Sequence, residues 1–173
     1  VGQGLVKHQK IKAAGFTGSQ KAGKILYDLA KQRKEPIPFF AEMGSVNPVI
    51  VFPSGLNNET ATALAGSITM GVGQFCTNPG IIISIESKEL TEFINQLGDE
   101  LAQVNPDTML TEKMAKVYNQ EVENLLTHNE IKLEARADNS KNRNQGRATL
   151  VSVSCKIFIN NPKLSEEVFG PYS

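Results

Sequence analysis

Short apolar runs alternate with stripes of helical period along this chain, and that alternation constrains the fold more than any other feature. Ala22, Ile25, Leu26, Leu29 and Ala30 recur at i, i+3, i+4, i+7 and i+8, one face of an amphipathic helix. Ser19 suits its N-cap. The helix is expected to stop near Lys34, because Glu35 precedes Pro36 and is pushed out of the α region. Residues 36–43 and 48–53 read as extended segments on either side of Gly44-Ser45. Asn58 then caps a second helix with Ala61, Leu64, Ala65, Ile68 and Val72 inward, closed by Gly71 and Gly73. Residues 79–85 read as a fully buried strand. Ser87 caps a third helix that turns Leu90, Phe93, Ile94, Leu97 and Leu101 inward. Thr111 opens a fourth, carrying Met114, Val117, Tyr118, Leu125 and Leu126. Residues 131–137 read as a strand, 139–147 as a polar turn region, and Thr149, Val151 and Val153 alternate in a last strand. Strands interleaved with helices predict an α/β fold with a largely parallel sheet.

Composition removes several classes of function. Counting Gly and leaving out Tyr, apolar residues make roughly 46% of the chain, a normal globular value. With 173 residues, roughly 70% of the unfolded surface can be buried. No apolar run approaches the roughly 20 residues of a membrane span, and no signal peptide is visible. Cys76 and Cys155 form no CxxC pair, which favours a reducing, cytoplasmic compartment over a disulfide framework. His8 and His128 are each isolated, so no metal site is expected. The net charge of zero hides an asymmetry: residues 1–34 hold eight Lys or Arg against Asp28 alone. With only Phe16 and Tyr27 as aromatics there, solvated helix and loop faces explain the basic end better than a nucleic-acid arm.

Three places could carry chemistry. Gly18-Ser19, ending a strand and feeding a helix, forms either a phosphate seat at the helix N-terminus or a tight turn with a capped helix. Neither GxGxxG nor a Walker A motif is present. Cys76 lies between a helix end and a strand start, the edge where open α/β sheets place their sites. It reads as a nucleophile or as an inert thiol, the state expected of Cys155 buried on its strand. A helix C-terminus disfavours a thiolate, so a base or a cofactor charge would have to activate it. Glu42 is the candidate base. It ends the apolar stretch Pro38-Phe39-Phe40-Ala41, where burial would raise its pKa; a solvent-facing strand end is the other reading.

Four motifs stand in register: Phe16-Thr17-Gly18-Ser19, Glu42-Met43-Gly44-Ser45-Val46-Asn47-Pro48, Gly73-Gln74-Phe75-Cys76, and Glu166-Glu167-Val168-Phe169-Gly170-Pro171. In order and spacing, including 34 positions from Glu42 to Cys76, they resemble the aldehyde dehydrogenase superfamily over essentially the whole chain. The variants around Glu42 and Cys76 look most like its α-ketoglutaric semialdehyde branch. Met43, Ser45 and Val46 depart from the family's usual Glu-Leu-Gly-Gly-Lys.

The resemblance implies an aldehyde-dehydrogenase-like three-layer α/β/α catalytic domain with a mostly parallel sheet, truncated. Residues 1–43 would be the C-terminal edge of the dinucleotide-binding domain, and 44–173 the thiol-bearing catalytic domain. Cys76 would attack a small aldehyde, Glu42 would activate water, and NAD or NADP would be the cofactor. Gly18, Ser19, Met43, Glu167 and Phe169 would line the cofactor, with Glu167 on the nicotinamide ribose and Phe169 beside the ring. The family's upstream oxyanion asparagine and adenosine-ribose lysine have no counterpart here. The chain therefore reads as a fragment of a cytoplasmic enzyme that is a homo-oligomer at full length. A non-catalytic domain retaining the fold is the rival expectation.

Overall fold

Helix α1 (Gly2–Lys7), strand β1 (Ala14–Gly18), helix α2 (Gln20–Lys31) and strand β2 (Phe39–Met43) form the first of two compact units, Val1–Ser45. The computed structural model describes residues 1–173 throughout. Strands β1 and β2 pair in parallel, from Ala14 opposite Phe39 to Gly18 opposite Met43. Ser19 caps α2 as expected, its Oγ accepting from the Ala22 amide at 3.4 Å. The helix ends at Lys31, three residues before the boundary read from the sequence. Arg33 instead turns back and donates to the Val6 carbonyl at 2.8 Å, tying the two helices together. Val6, Ala30 and Ile37 make the small core. The expected stripe is shifted: Ile25 is exposed, and Gly23 is buried where α2 meets the strands.

The second unit, Val46–Ser173, holds the larger core. In chain order it contains β3 (Pro48–Ile50), α3 (Asn58–Thr69), β4 (Ile81–Ile83), α4 (Lys88–Ala102), β5 (Asp107–Thr108), α5 (Glu112–Leu126), β6 (Lys132–Arg136), β7 (Gln145–Gly146), β8 (Thr149–Ser152) and α6 (Cys155–Asn160). Side-chain caps start each long helix: Asn57 for α3, one residue before the expected Asn58, then Ser87 for α4 and Thr111 for α5. Ile68, Phe93, Leu97 and Leu101 are almost wholly buried between α3, α4 and the β6–β8 pair. Each such side chain stabilises the fold by about 1.5–3 kcal/mol. A separate cluster joins Met109 to Ala115, Tyr118 and Val122 of α5, so Val117 is left exposed rather than inward.

The α/β class holds, with the pairings divided by direction. β1–β2 and β3–β4 are parallel; β5–β7 and β6–β8 are antiparallel. Two sequence expectations are corrected. The segment around Ile81–Ile83 is not fully buried, because β4 pairs only with β3 and both Ile50 and Ile83 face outward. Cys155 does not sit on a strand: β8 ends at Ser152, Ser154 caps α6, and Cys155 is its exposed first residue. No helix is long and apolar enough to cross a membrane.

Candidate functional site

The predicted site residues fall into two groups, one in each unit. In the first unit, parallel pairing brings the carboxyl ends of β1 and β2 side by side, setting Gly18 opposite Met43 and Thr17 opposite Glu42. That is the strand edge where open α/β sheets receive ligands. Gly18 runs directly into the Ser19 cap of α2, whose leading amides have no intrahelical acceptor. The first turn of α2 carries no acidic residue. No carboxylate of its own first turn offsets the positive end of the helix dipole. A Cβ on Gly18 would lie 2.8 Å from the Phe16 ring, and one on Gly23 would lie 2.6 Å from Met43 Sδ. Met43 therefore folds back against α2, and its thioether fills the space that Gly23 leaves. Strand alternation turns Glu42 to the opposite face. There an open groove of about 650 Å³ is lined by Thr17, Phe40 and Glu42. Glu42 is exposed, so the solvent-facing reading holds and the expected burial does not.

In the second unit the chain leaves α3 through a left-handed turn, Gly71-Val72-Gly73, and reaches Cys76 three residues later. Cys76 is exposed. Asn47, just before β3, donates its Nδ2 to the carbonyls of Cys76 at 2.8 Å and Asn78 at 2.9 Å. Gln74 Oε1 accepts from the Leu110 amide at 2.8 Å. Asn78 Nδ2 donates to the Gly170 carbonyl at 3.3 Å, while its Oδ1 is buried without a hydrogen-bond partner. Gly170 also sits where a Cβ on Gly73 would have to go. The turn bearing Cys76 is thus locked against the segment that carries Glu167 and Phe169, both half-buried.

That segment is anchored in turn on β8. The Thr149 amide donates to the Pro171 carbonyl at 2.9 Å, and Val151 to Ser173 at 3.0 Å. Tyr118 lies beneath it, buried against Gly170, with its hydroxyl 2.6 Å from the Arg147 carbonyl and 3.0 Å from that of Pro171. Burial lifts the Tyr118 hydroxyl well above the usual tyrosine range, and burial lifts Tyr172 to about 12. Glu121 of α5 faces this acidic corner. Its carboxyl is raised by burial first, then by the charges of Glu166 and Glu167. Asn47 and Gly170 stand inside the quoted motifs without an assigned role, and Asn78 lies two residues beyond Cys76. Tyr118 was read only as part of an apolar stripe, although a buried phenol normally implies a hydrogen-bond acceptor nearby.

Residues 1–172 match the model of the aldehyde dehydrogenase family. The chain is 43% identical to an α-ketoglutaric semialdehyde dehydrogenase of Acinetobacter baylyi, an alignment that takes in all of this chain and 34% of that enzyme. It is 36% identical to α-ketoglutaric semialdehyde dehydrogenase 2 of Azospirillum brasilense, again over 100% of the chain and 34% of the relative. The chain thus spans about a third of the length of these relatives. Among solved structures, proline utilization A of Bradyrhizobium japonicum superposes with a TM-score of 0.84 at 17% identity, covering 99% of this chain and 18% of that one. A γ-glutamyl-γ-aminobutyraldehyde dehydrogenase from Burkholderia cenocepacia gives 0.80 at 22% identity, over 99% and 36%. These two likenesses show the fold. With residues 1–172 of its 173 matched by the family model, the chain belongs to the aldehyde dehydrogenase family.

Proposed function

We propose that this chain is the thiol-bearing portion of an NAD(P)-dependent aldehyde dehydrogenase acting on an oxo-acid semialdehyde such as α-ketoglutaric semialdehyde. The observation that carries the reading is the fixed, exposed turn of Cys76, held by Asn47 and locked to the Glu167–Phe169 segment through Gly170. The semialdehyde is suggested by the relatives that match the full chain. Residues 1–43 are taken as an edge of the dinucleotide-binding domain and 44–173 as the catalytic domain. The same proposal makes the full-length protein a cytoplasmic homo-oligomer.

The residues of the first unit fit part of a dinucleotide. Gly18, the Ser19 cap and the acid-free first turn of α2 suit a pyrophosphate, with Met43 at the neighbouring strand end. Glu167 and Phe169 would take the ribose hydroxyls and one ring face. When bound, the nicotinamide would supply the hydride acceptor. The Cys76 thiolate bonds to the aldehyde carbon, and the carbonyl oxygen gains the electron pair, steadied by backbone N–H groups. After oxidation the carbon is a thioester. Glu42 takes a proton from water as the water oxygen adds to that carbon; collapse expels the Cys76 thiolate and leaves a carboxylate.

Ester hydrolysis tests the nucleophile without a cofactor. In the 173-residue chain, slow hydrolysis of p-nitrophenyl acetate is expected, lost in Cys76→Ala and retained in Cys155→Ala. In the full-length protein carrying this sequence, Glu42→Gln should leave a burst of reduced cofactor followed by a steady state slowed about 10²–10⁴-fold. By itself the chain should oxidise aldehydes poorly, since only part of the cofactor would be held. Ester hydrolysis that survives Cys76→Ala would favour a non-catalytic domain retaining the fold.

A further inference from the structure

Three consecutive residues, Gly71, Val72 and Gly73, lie in the left-handed region, with φ of 56°, 58° and 64°. Glycine adopts this region freely; a β-branched valine does not, and Val72 is the single non-glycine residue here with positive φ. Such a conformation persists only where its surroundings over-determine it, and it tends to mark a functional position. Here every residue of the turn is held from outside. A Cβ on Gly71 would run into the Phe75 ring, and one on Gly73 into the Gly170 backbone. Val72 packs on the cluster of Met109, Ala115, Tyr118 and Val122. Its Cγ1 lies 3.1 Å from where a Cβ on Gly146 would stand. Gln74, the next residue, is fixed by the Leu110 amide.

We propose that Val72 is a positioning residue for Cys76: its side chain, wedged against Gly146 of β7, holds the left-handed turn and so sets where the thiol stands. This rests on the reading of Cys76 as the nucleophile. Without the wedge the turn can relax toward the right-handed continuation of α3 that a valine prefers, and the chain to Cys76 would then leave in another direction. Gly146 is 74 positions further along, so the wedge can be disturbed from its far side with the loop sequence unaltered. Alanine there would press on both Val72 Cγ1 and Met109 Sδ, each 3.1 Å from the added carbon.

Cys155 is exposed and provides a reference thiol in the same molecule. The 173-residue chain is treated with iodoacetamide, and both alkylation rates are read by mass spectrometry in one reaction. Val72→Ala, which removes the wedge but keeps the Cβ that disfavours a left-handed backbone, and Gly146→Ala should each change the Cys76-to-Cys155 rate ratio severalfold, because alkylation follows a thiol's ionised fraction and access, both set by where the turn places it. The Cys155 rate and the far-UV spectrum should stay as they are. Val72→Thr, which keeps the β-branch and the volume, should restore the original ratio. A purely structural valine would shift the melting temperature and leave the ratio alone. If Val72→Ala loses its fold, Gly146→Ala decides the matter. An unchanged ratio in Gly146→Ala overturns the proposal even while Cys76→Ala abolishes ester hydrolysis. Ester hydrolysis independent of Cys76 would instead defeat the reading of the site itself.

Discussion

Replacing Tyr118 by phenylalanine removes one hydroxyl from beneath the site, and the structure sets both the size and the pH dependence of the effect. The hydroxyl is 2.6 Å from the Arg147 carbonyl and 3.0 Å from the Pro171 carbonyl. Each carbonyl keeps another donor, Thr149 Oγ1 on Arg147 and the Thr149 amide on Pro171. Neither acceptor is orphaned, so the loss is that of one shared bond, about 1–2 kcal/mol at pH 7. For a chain of this size that lowers Tm by about 2–8 °C. Above pH 10 the balance changes. Tyr118 and Tyr172 ionise near 10.0 when unfolded, and burial raises both in the fold, Tyr172 to about 12. The folded chain then binds more protons than the unfolded one, so stability falls as pH rises. Each raised tyrosine removes about 1.4 kcal/mol per pH unit in that window. Tyr118→Phe carries one such group instead of two. Its deficit at pH 7 should therefore shrink above pH 10 and vanish about one unit higher. Urea denaturation followed by far-UV circular dichroism at pH 7, 10, 10.5 and 11 measures the difference directly. A deficit that stays constant or widens through pH 11 would refute the argument that the buried phenol holds its proton in the fold.

Two further substitutions test the polar contacts around the site. Asn47→Asp keeps the shape but replaces the donating amide by oxygens that repel the Cys76 and Asn78 carbonyls. It should cost about 2–3 kcal/mol at pH 7 and raise hydrogen exchange at residues 74–78; exchange there matching the wild type would show that these bonds do not hold the turn. Glu121→Gln removes a carboxyl raised by burial and by Glu166 and Glu167. A raised carboxyl favours the fold below its unfolded value of 4.5 and loses that advantage as pH rises, so the variant should be the more stable chain at pH 7 and lose its lead towards pH 4.5. Equal stabilities at pH 7 in urea would count against that.

Much of this was legible in the sequence because the signals are local. Ser19, Ser87 and Thr111 each precede a run of helical period, and each caps the expected helix with its own oxygen. The motifs around Gly18, Glu42 and Cys76 name strand ends and a turn that the backbone builds where expected. What was not legible depends on partners distant in sequence. Glu42 after four apolar residues read equally as buried or as a solvent-facing strand end, and alternation in β2 decides it by turning the carboxylate into the open groove with Thr17. Residues 81–83 looked like a core strand, but burial needs strands on both sides, and β4 has one. Cys155 followed an alternating run, and only the Ser154 cap, which competes with strand continuation, shows that a helix begins there. Residues 71–73 showed two glycines and hence a helix end. That Val72 between them would share their left-handed backbone depends on Gly146 and Gly170, over 70 residues away.

The groups that fix the Cys76 turn also bear on its response to pH. The side-chain amides of Asn47, Gln74 and Asn78 take part in hydrogen bonds around the Cys76 turn, and Gly73 and Gly170 make its close approach. None of these groups ionises between pH 5 and 9. Beneath them Tyr118 holds its proton to well above pH 10. A turn built in this way keeps its shape while nearby groups change charge, whereas one held by ion pairs would shift as its partners titrate. Glu121, its carboxyl raised by burial and by the charges of Glu166 and Glu167, lies on α5 rather than on the turn. The strain at Val72 belongs to the same logic. A shape enforced by packing and backbone contact is indifferent to proton concentration, and under the proposed reading of Cys76 a nucleophile that changes its own charge gains most from a frame that does not change with it.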